Sequence, residues 1–168
     1  GGLGIIETSS GETEACQAEI ATMLATGLPF GVNLPIRFLK DDAMLRFVCT
    51  SGVRFVTTSA GSPAKFIAPL HDAGIVVYHA VPTLEAALKS VDAGVDGLVV
   101  EGSEGGGFKN PEEVSTMVLL QAVRERTDAT NERQFAALYL LAPMRDDTAA
   151  AAMEQLQAAM LRQQLPVS

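Results

Sequence analysis

The sequence predicts an α/β fold of parallel βα repeats, a partial TIM (β/α)8 barrel of about five strands with a C-terminal helical tail. Three observations predict it. Gly27, Gly52, Gly74 and Gly94 each close an apolar helical pattern, and they recur roughly every 20–25 residues, the mark of an internal repeat. A short, continuously apolar strand follows each glycine, as expected of strands covered by helices. The carboxyl ends of these strands are polar, and that is where parallel α/β proteins bind ligands. Strands that alternate with helices in this way form parallel βαβ units with right-handed crossovers. An open doubly wound sheet and a barrel both fit. The short, regular period favours the barrel, although a complete one needs ~200 residues or more.

Leu3, Ile5 and Ile6 make the first strand, and a small polar turn follows over 7–11. Thr13 is a candidate cap for a helix over 14–26, with Gly27 at its C′ position. The second strand lies in 29–34 and ends at Pro35. Asp41 or Asp42 opens a helix that places Met44, Leu45 and Val48 inward and closes at Gly52. The third strand, 53–58, is rich in β-branched residues. Pro63 suits the first turn of the next helix, which carries Phe66, Ile67 and Leu70 and closes at Gly74. The fourth strand covers 75–79. Thr83 caps a helix that closes at Gly94. The fifth strand, 97–100, meets Glu101 and then a loop with Gly102, Gly105, Gly106 and Gly107. Pro111, Glu112 and Glu113 are good first-turn residues for a helix to about Arg126, with Val114, Met117, Val118, Leu120 and Val123 as its apolar side. The repeat then stops. Two regions result, a barrel domain over 1–128 and a helical tail over 129–168 rich in Ala, Met, Leu and Gln.

Composition excludes several classes. The chain has 168 residues, enough for one domain with a sizeable core. A net charge of −8 argues against nucleic acid and anionic membrane surfaces as partners. No apolar run approaches a membrane span, and no signal peptide is visible, so a cytoplasmic protein is expected. Cys16 and Cys49 are too few for a disulfide framework or a zinc site and read as buried thiols in a reducing compartment.

The strand ends supply the chemistry. Asn33 offers an amide, Thr58 and Ser59 offer hydroxyls, Glu101 can accept from a ribityl or ribose hydroxyl, and the glycine run offers backbone N–H groups. Together they suit a polar, phosphorylated cofactor; singly, Asn33 also fits a turn residue and Ser59 a helix cap. His79, at the end of the fourth strand, is a candidate acid/base, against the commoner role of such a histidine as a hydrogen-bonded structural residue. His71 reads as surface. Lys109 could meet a phosphate or simply be solvated. The glycine run matches neither the dinucleotide fingerprint nor the P-loop.

The segments GGLG (1–4), PFGVN (29–33), VTTSAGSP (56–63), AGVD (93–96) and EGSEGGG (101–107) together resemble the nitronate monooxygenase (2-nitropropane dioxygenase-like) family and its relative, FMN-dependent enoyl-ACP reductase. They occur in the family's order. The resemblance implies an FMN-binding (β/α)8 barrel that oxidises nitronates or reduces an activated C=C bond with NAD(P)H. It implies that Asn33, Glu101, Gly106 and Gly107 lie near the flavin and that a small molecule is the substrate. Phe108 stands where family members commonly carry a catalytic His, so NAD(P)H-driven reduction is expected over His-dependent nitronate oxidation. The family's first strand would precede Gly1, and its last two, which hold the flavin phosphate, would follow Asp128. The strands here then correspond to the second to sixth of eight, and weak or no FMN binding by residues 1–168 alone is expected. The alternative is a truncated, flavin-free barrel fragment acting as a structural or interaction module. Exposed strand edges or the C-terminal helix would in either case favour a homo-oligomer.

Overall fold

A computed structural model of the chain describes residues 3–105 and 114–127. Five strands alternate with five α-helices: β1 (Gly4–Glu7), α1 (Thr13–Thr26), β2 (Phe30–Pro35), α2 (Ala43–Ser51), β3 (Phe55–Ser59), α3 (Ala64–Asp72), β4 (Val76–Val81), α4 (Leu84–Asp92), β5 (Gly97–Val100) and α5 (Thr116–Arg126). A 3-10 turn, Ile36–Phe38, follows β2. The strands pair in parallel in the order β1-β2-β3-β4-β5. A doubly wound sheet reverses its strand order at a switch point, and this sheet does not. The sequential order is that of a barrel segment.

Alternation along each strand divides the side chains between two faces. One face sends Val32, Leu34, Val56, Val77, Val81, Leu98 and Val100 against Ile20, Met44, Val48, Ile67, Leu70, Ala87, Leu119 and Val123 of the helices. This is the main core. The opposite, concave face carries a second cluster of Phe55, Tyr78 and Val99, with Leu3, Val76 and Ala80 packed on it. The rings of Phe55 and Tyr78 meet edge to face at a centroid distance of 5.1 Å. Gly97, the register partner of Tyr78, makes room for that ring: a Cβ at Gly97 would lie 2.6 Å from Tyr78 Cε1 and Cζ.

Local signals explain most of the element ends. The four closing glycines all adopt positive φ. Thr83 caps α4, its hydroxyl accepting from the N–H of Ala86 at 3.1 Å. Elsewhere the structure departs from expectation. Thr13 lies inside α1, and Glu12 holds the cap position without a side-chain bond, its own N–H donating back to Ser10 Oγ. Asp42 occupies the α2 cap position, but it is Asp41 Oδ1 that accepts the first helical N–H, from Ala43 at 2.7 Å. Helix α5 starts at Thr116, with Ser115 as its cap; residues 111–113 lie outside the described residues. Its inward residues are Leu119 and Val123, four apart, and this turns Met117 and Val118 out to solvent. Pro69 sits inside α3, and the carbonyl it contributes receives the N–H of Ala73 and the thiol of Cys49. Cys16 is buried but Cys49 only partly so; both are free, and burial pushes the Cys49 thiol up.

Strand β4 continues two residues past His79, since Ala80 and Val81 pair with Val99 and Val100. Strands β1 and β5 each have one strand neighbour among the described residues. Among those residues no helix is long and apolar enough to cross a membrane, and no group of acidic, His and Cys side chains could hold a metal ion. The helical tail expected over 129–168 lies outside the described residues.

The fit of Tyr78 over Gly97 yields a stability test. Gly97→Ala is expected to lower unfolding stability by about 1–3 kcal/mol through overpacking. The measurement is urea denaturation, and an unchanged midpoint would show that the ring can move aside.

Candidate functional site

Register brings Glu7, Asn33 and Thr57 side by side on the concave face near the carboxyl ends of β1, β2 and β3. Asn33 is the centre of the group. Its Nδ2 donates to Glu7 Oε2 at 2.7 Å and to Ser59 Oγ at 3.2 Å, and its Oδ1 accepts from Thr57 Oγ1 at 2.9 Å. The other Glu7 oxygen, Oε1, accepts the N–H groups of Thr8 and Ser9, each at 3.0 Å, and so ties the β1–α1 loop to the network. Thr8 Oγ1 in turn donates to the Asn33 carbonyl at 2.8 Å. The asparagine is therefore part of a network over three strand ends, beyond the turn role its type also permits.

Glu101 follows Val100 and so alternates onto the same concave face as Val99 and Asn33. Its N–H continues the ladder to the Val81 carbonyl at 3.1 Å. Burial pushes its carboxyl above the ordinary range. The loop beyond it depends on two glycines with no space for a Cβ. One at Gly105 would lie 2.3 Å from Glu101 Oε1, and one at Gly102 would lie 2.1 Å from the Thr116 nitrogen. Glu104 clasps the loop to α5: its Oε2 accepts from the Thr116 N–H at 2.8 Å and the Thr116 hydroxyl at 2.9 Å. The Gly102 N–H bonds to that same hydroxyl at 2.9 Å. The Thr116 N–H holds the Glu104 carboxyl below its usual range.

His79 is placed differently from its expected position. It is the fourth residue of β4's six and faces the helices, the side opposite Asn33 and Glu101. It is 3% exposed, and its Nδ1 lies 2.7 Å from Thr58 Oγ1, its register partner. Thr58 likewise faces the helices, fully buried, so its hydroxyl belongs to this internal pair and not to the concave face. His71 is partly exposed and meets Asp96, its Nε2 2.9 Å from Oδ2.

The structure thus brings Asn33, Thr57, Ser59, Glu7 and Glu101 to one face and one end of the sheet. Gly106, Gly107, Phe108 and Lys109 lie outside the described residues. The Glu104–Thr116 clasp had one signal in the sequence, an acid before a Ser-Thr pair that opens a helix, but the helix start expected at Pro111 hid it. For FMN, the group the fold and motifs imply, the polar set fits the edge of a flavin ring or a ribityl chain: an amide, two hydroxyls and two carboxylates beside backbone kept bare by glycine. Among the described residues no cationic side chain joins that set.

A parallel (β/α) segment with sequential strand order defines a partial barrel, a class whose members bind ligands at the carboxyl ends of their strands. The sequence profile of the nitronate monooxygenase family matches residues 35–131, and the chain belongs to that family. It is 31% identical over 131 residues to a Mycobacterium tuberculosis (strain ATCC 25618 / H37Rv) protein named (3aS,4S,5R,7aS)-5-hydroxy-7a-methyl-1-oxo-octahydro-1H-indene-4-carboxyl-CoA dehydrogenase, covering 77% of this chain and 36% of that protein. The protein of the same name from Rhodococcus jostii (strain RHA1) is 35% identical over 131 residues, 76% of this chain and 36% of that protein. FabK from Thermotoga maritima superposes with a TM-score of 0.69 at 32% identity, over 74% of this chain and 40% of that one. Nitroalkane oxidase from Streptomyces ansochromogenes shares the fold, with a TM-score of 0.66 at 24% identity over 76% of this chain and 49% of that one. The chain therefore spans just over a third of the two dehydrogenases and less than half of either structure.

Burial lowers the His79 pKa to about 4, from 6.5, against the opposing pull of its backbone hydrogen bonds at Gly61 and Thr58. The unfolded chain therefore binds the proton first. The neutral ring's contribution, on the order of 3 kcal/mol, is fully present above pH 6.5 and is lost as pH falls toward 4. Urea denaturation at about pH 7.5 and about pH 5 is expected to show a smaller difference in His79→Gln than in the wild type. An equal difference would remove His79 as its source.

Proposed function

We propose that this chain forms the flavin-ring side of an FMN-dependent oxidoreductase acting at a carbon–carbon bond activated by a neighbouring thioester carbonyl. The observation that carries this is the convergence of Asn33, Ser59 and Glu101 on one concave face at the carboxyl ends of the strands. FMN, when bound, supplies the hydride chemistry. The Asn33 amide oxygen would accept from the ring edge and the Ser59 hydroxyl would donate to it, Glu101 would accept from a ribityl hydroxyl, and Gly105 to Gly107 would let the backbone approach. Membership of the family supports flavin chemistry, and the two relatives named as carboxyl-CoA dehydrogenases support an acyl-CoA substrate over a nitronate. Phe108 points the same way, because an apolar ring takes up no proton. His79, sealed between sheet and helices, then has a positioning role. NAD(P)H is the proposed reductant where the reaction runs as C=C reduction.

The flavin-free interaction module is the alternative, and strands β1 and β5, each with one strand neighbour among the described residues, favour it. They are where further strands of a complete barrel, or a second copy of the chain, would pair. One experiment separates the two. FMN titrated into the purified chain is expected to change its fluorescence with weak, saturable affinity. Glu101→Ala is expected to weaken that binding about tenfold or more, since the lost hydrogen bond involves a charged group. No change at millimolar FMN would exclude the flavin role and leave the interaction module.

A further inference from the structure

The hydrogen-bond chain on the concave face has a direction. An ionised carboxylate only accepts, so the Asn33 atom that faces Glu7 Oε2 at 2.7 Å is the amide nitrogen. This settles by chemistry an orientation that shape alone leaves open. Oδ1 then faces Thr57 Oγ1 and takes its proton. The second amide hydrogen goes to Ser59 Oγ. Ser59 therefore accepts from Asn33, and its own proton must point elsewhere. Among the described residues its one side-chain bond is that from Asn33, and none takes its proton.

That hydroxyl is also held in place. Ser59 is the last residue of β3, half-buried, and the next residue, Ala60, has φ 53°. Ala60 is the one non-glycine residue in the left-handed region among the described residues. Such strain costs on the order of 1 kcal/mol and persists where the surroundings impose it, characteristically at functional sites. Here the Ala60 carbonyl takes the Arg37 N–H at 3.1 Å, and a Cβ on Gly61 would lie 2.9 Å from Ile36 Cγ2. Beneath the loop, His79 grips Thr58. The Glu7–Asn33 chain orients the oxygen, and the fixed loop keeps the backbone under it still.

We propose that Ser59 is a ligand-binding residue whose hydroxyl donates a hydrogen bond to a carbonyl oxygen of the molecule bound at the carboxyl-end face. This rests on the flavin and thioester reading above. Both the flavin ring and an acyl thioester carry such an oxygen, and the two are separable by titration. The full chain, Ser59→Ala and Ser59→Thr are titrated with FMN by fluorescence, and with butyryl-CoA in the presence of FMN by calorimetry. Ser59→Ala is expected to lose about tenfold in affinity for one of the two, the worth of one good hydrogen bond. Ser59→Thr, which keeps the hydroxyl, is expected to stay within about threefold of the wild type, with denaturation midpoints of both variants unchanged. A loss toward FMN assigns the ring carbonyl, and a loss confined to butyryl-CoA assigns the thioester. Equal affinities of the wild type and Ser59→Ala for both ligands would overturn the donor role and leave the proposed function standing. An equal loss in both variants would also overturn it, because packing and not the hydroxyl would be responsible. A wild-type chain that binds neither ligand would overturn the proposed function and this role together.

Discussion

Each strand of this chain must satisfy two cores at once. Strict alternation assigns every residue to the helix-covered face or to the concave face, and a register shift of one would exchange them. Such a shift would place Asn33 and Glu101 among the valines that meet α1 to α5 and would send Val32 and Val100 into the ligand end. The main core is larger and more apolar, so it fixes the register. The polar network of Glu7, Asn33, Thr57 and Ser59 is thereby positioned by packing that takes place on the other side of the sheet.

Much of the fold was legible in the sequence because its punctuation is local. A glycine that must adopt positive φ, or a threonine whose hydroxyl caps α4, carries its structural meaning in its own backbone and nearest neighbours. The choice between barrel and doubly wound sheet was open in the sequence because strand order is a long-range property; pairing in chain order decides it. The inward face of α5 was legible only in part: Val123 is buried and Val114 and Leu120 pack on the core, but Met117 and Val118 face outward and Leu119 takes their place, because apolar residues lie on more than one side of that helix. Only its contact with the sheet selects Leu119 and Val123.

The site was legible to a similar depth. Asn33 and Glu101 stand out as polar residues closing apolar strands, and the glycines after Glu101 mark a close approach. Consecutive hydroxyls could not be sorted by type. Thr57, Thr58 and Ser59 offer the same group, and alternation sends the first and third to the concave face and the second to His79. A histidine two residues before the end of its strand looks terminal in sequence when Ala-Val continues the ladder, since neither residue announces a strand end.

Gly102 carries a mechanical consequence. It leaves no room for a Cβ against the backbone that opens α5, and its N–H shares the Thr116 hydroxyl with the Glu104 clasp. The loop after β5 and the first turn of α5 are in effect welded, so neither can shift alone. The link between that loop and the outer surface is short, because Met117 and Val118, the next two residues of the same turn, face solvent.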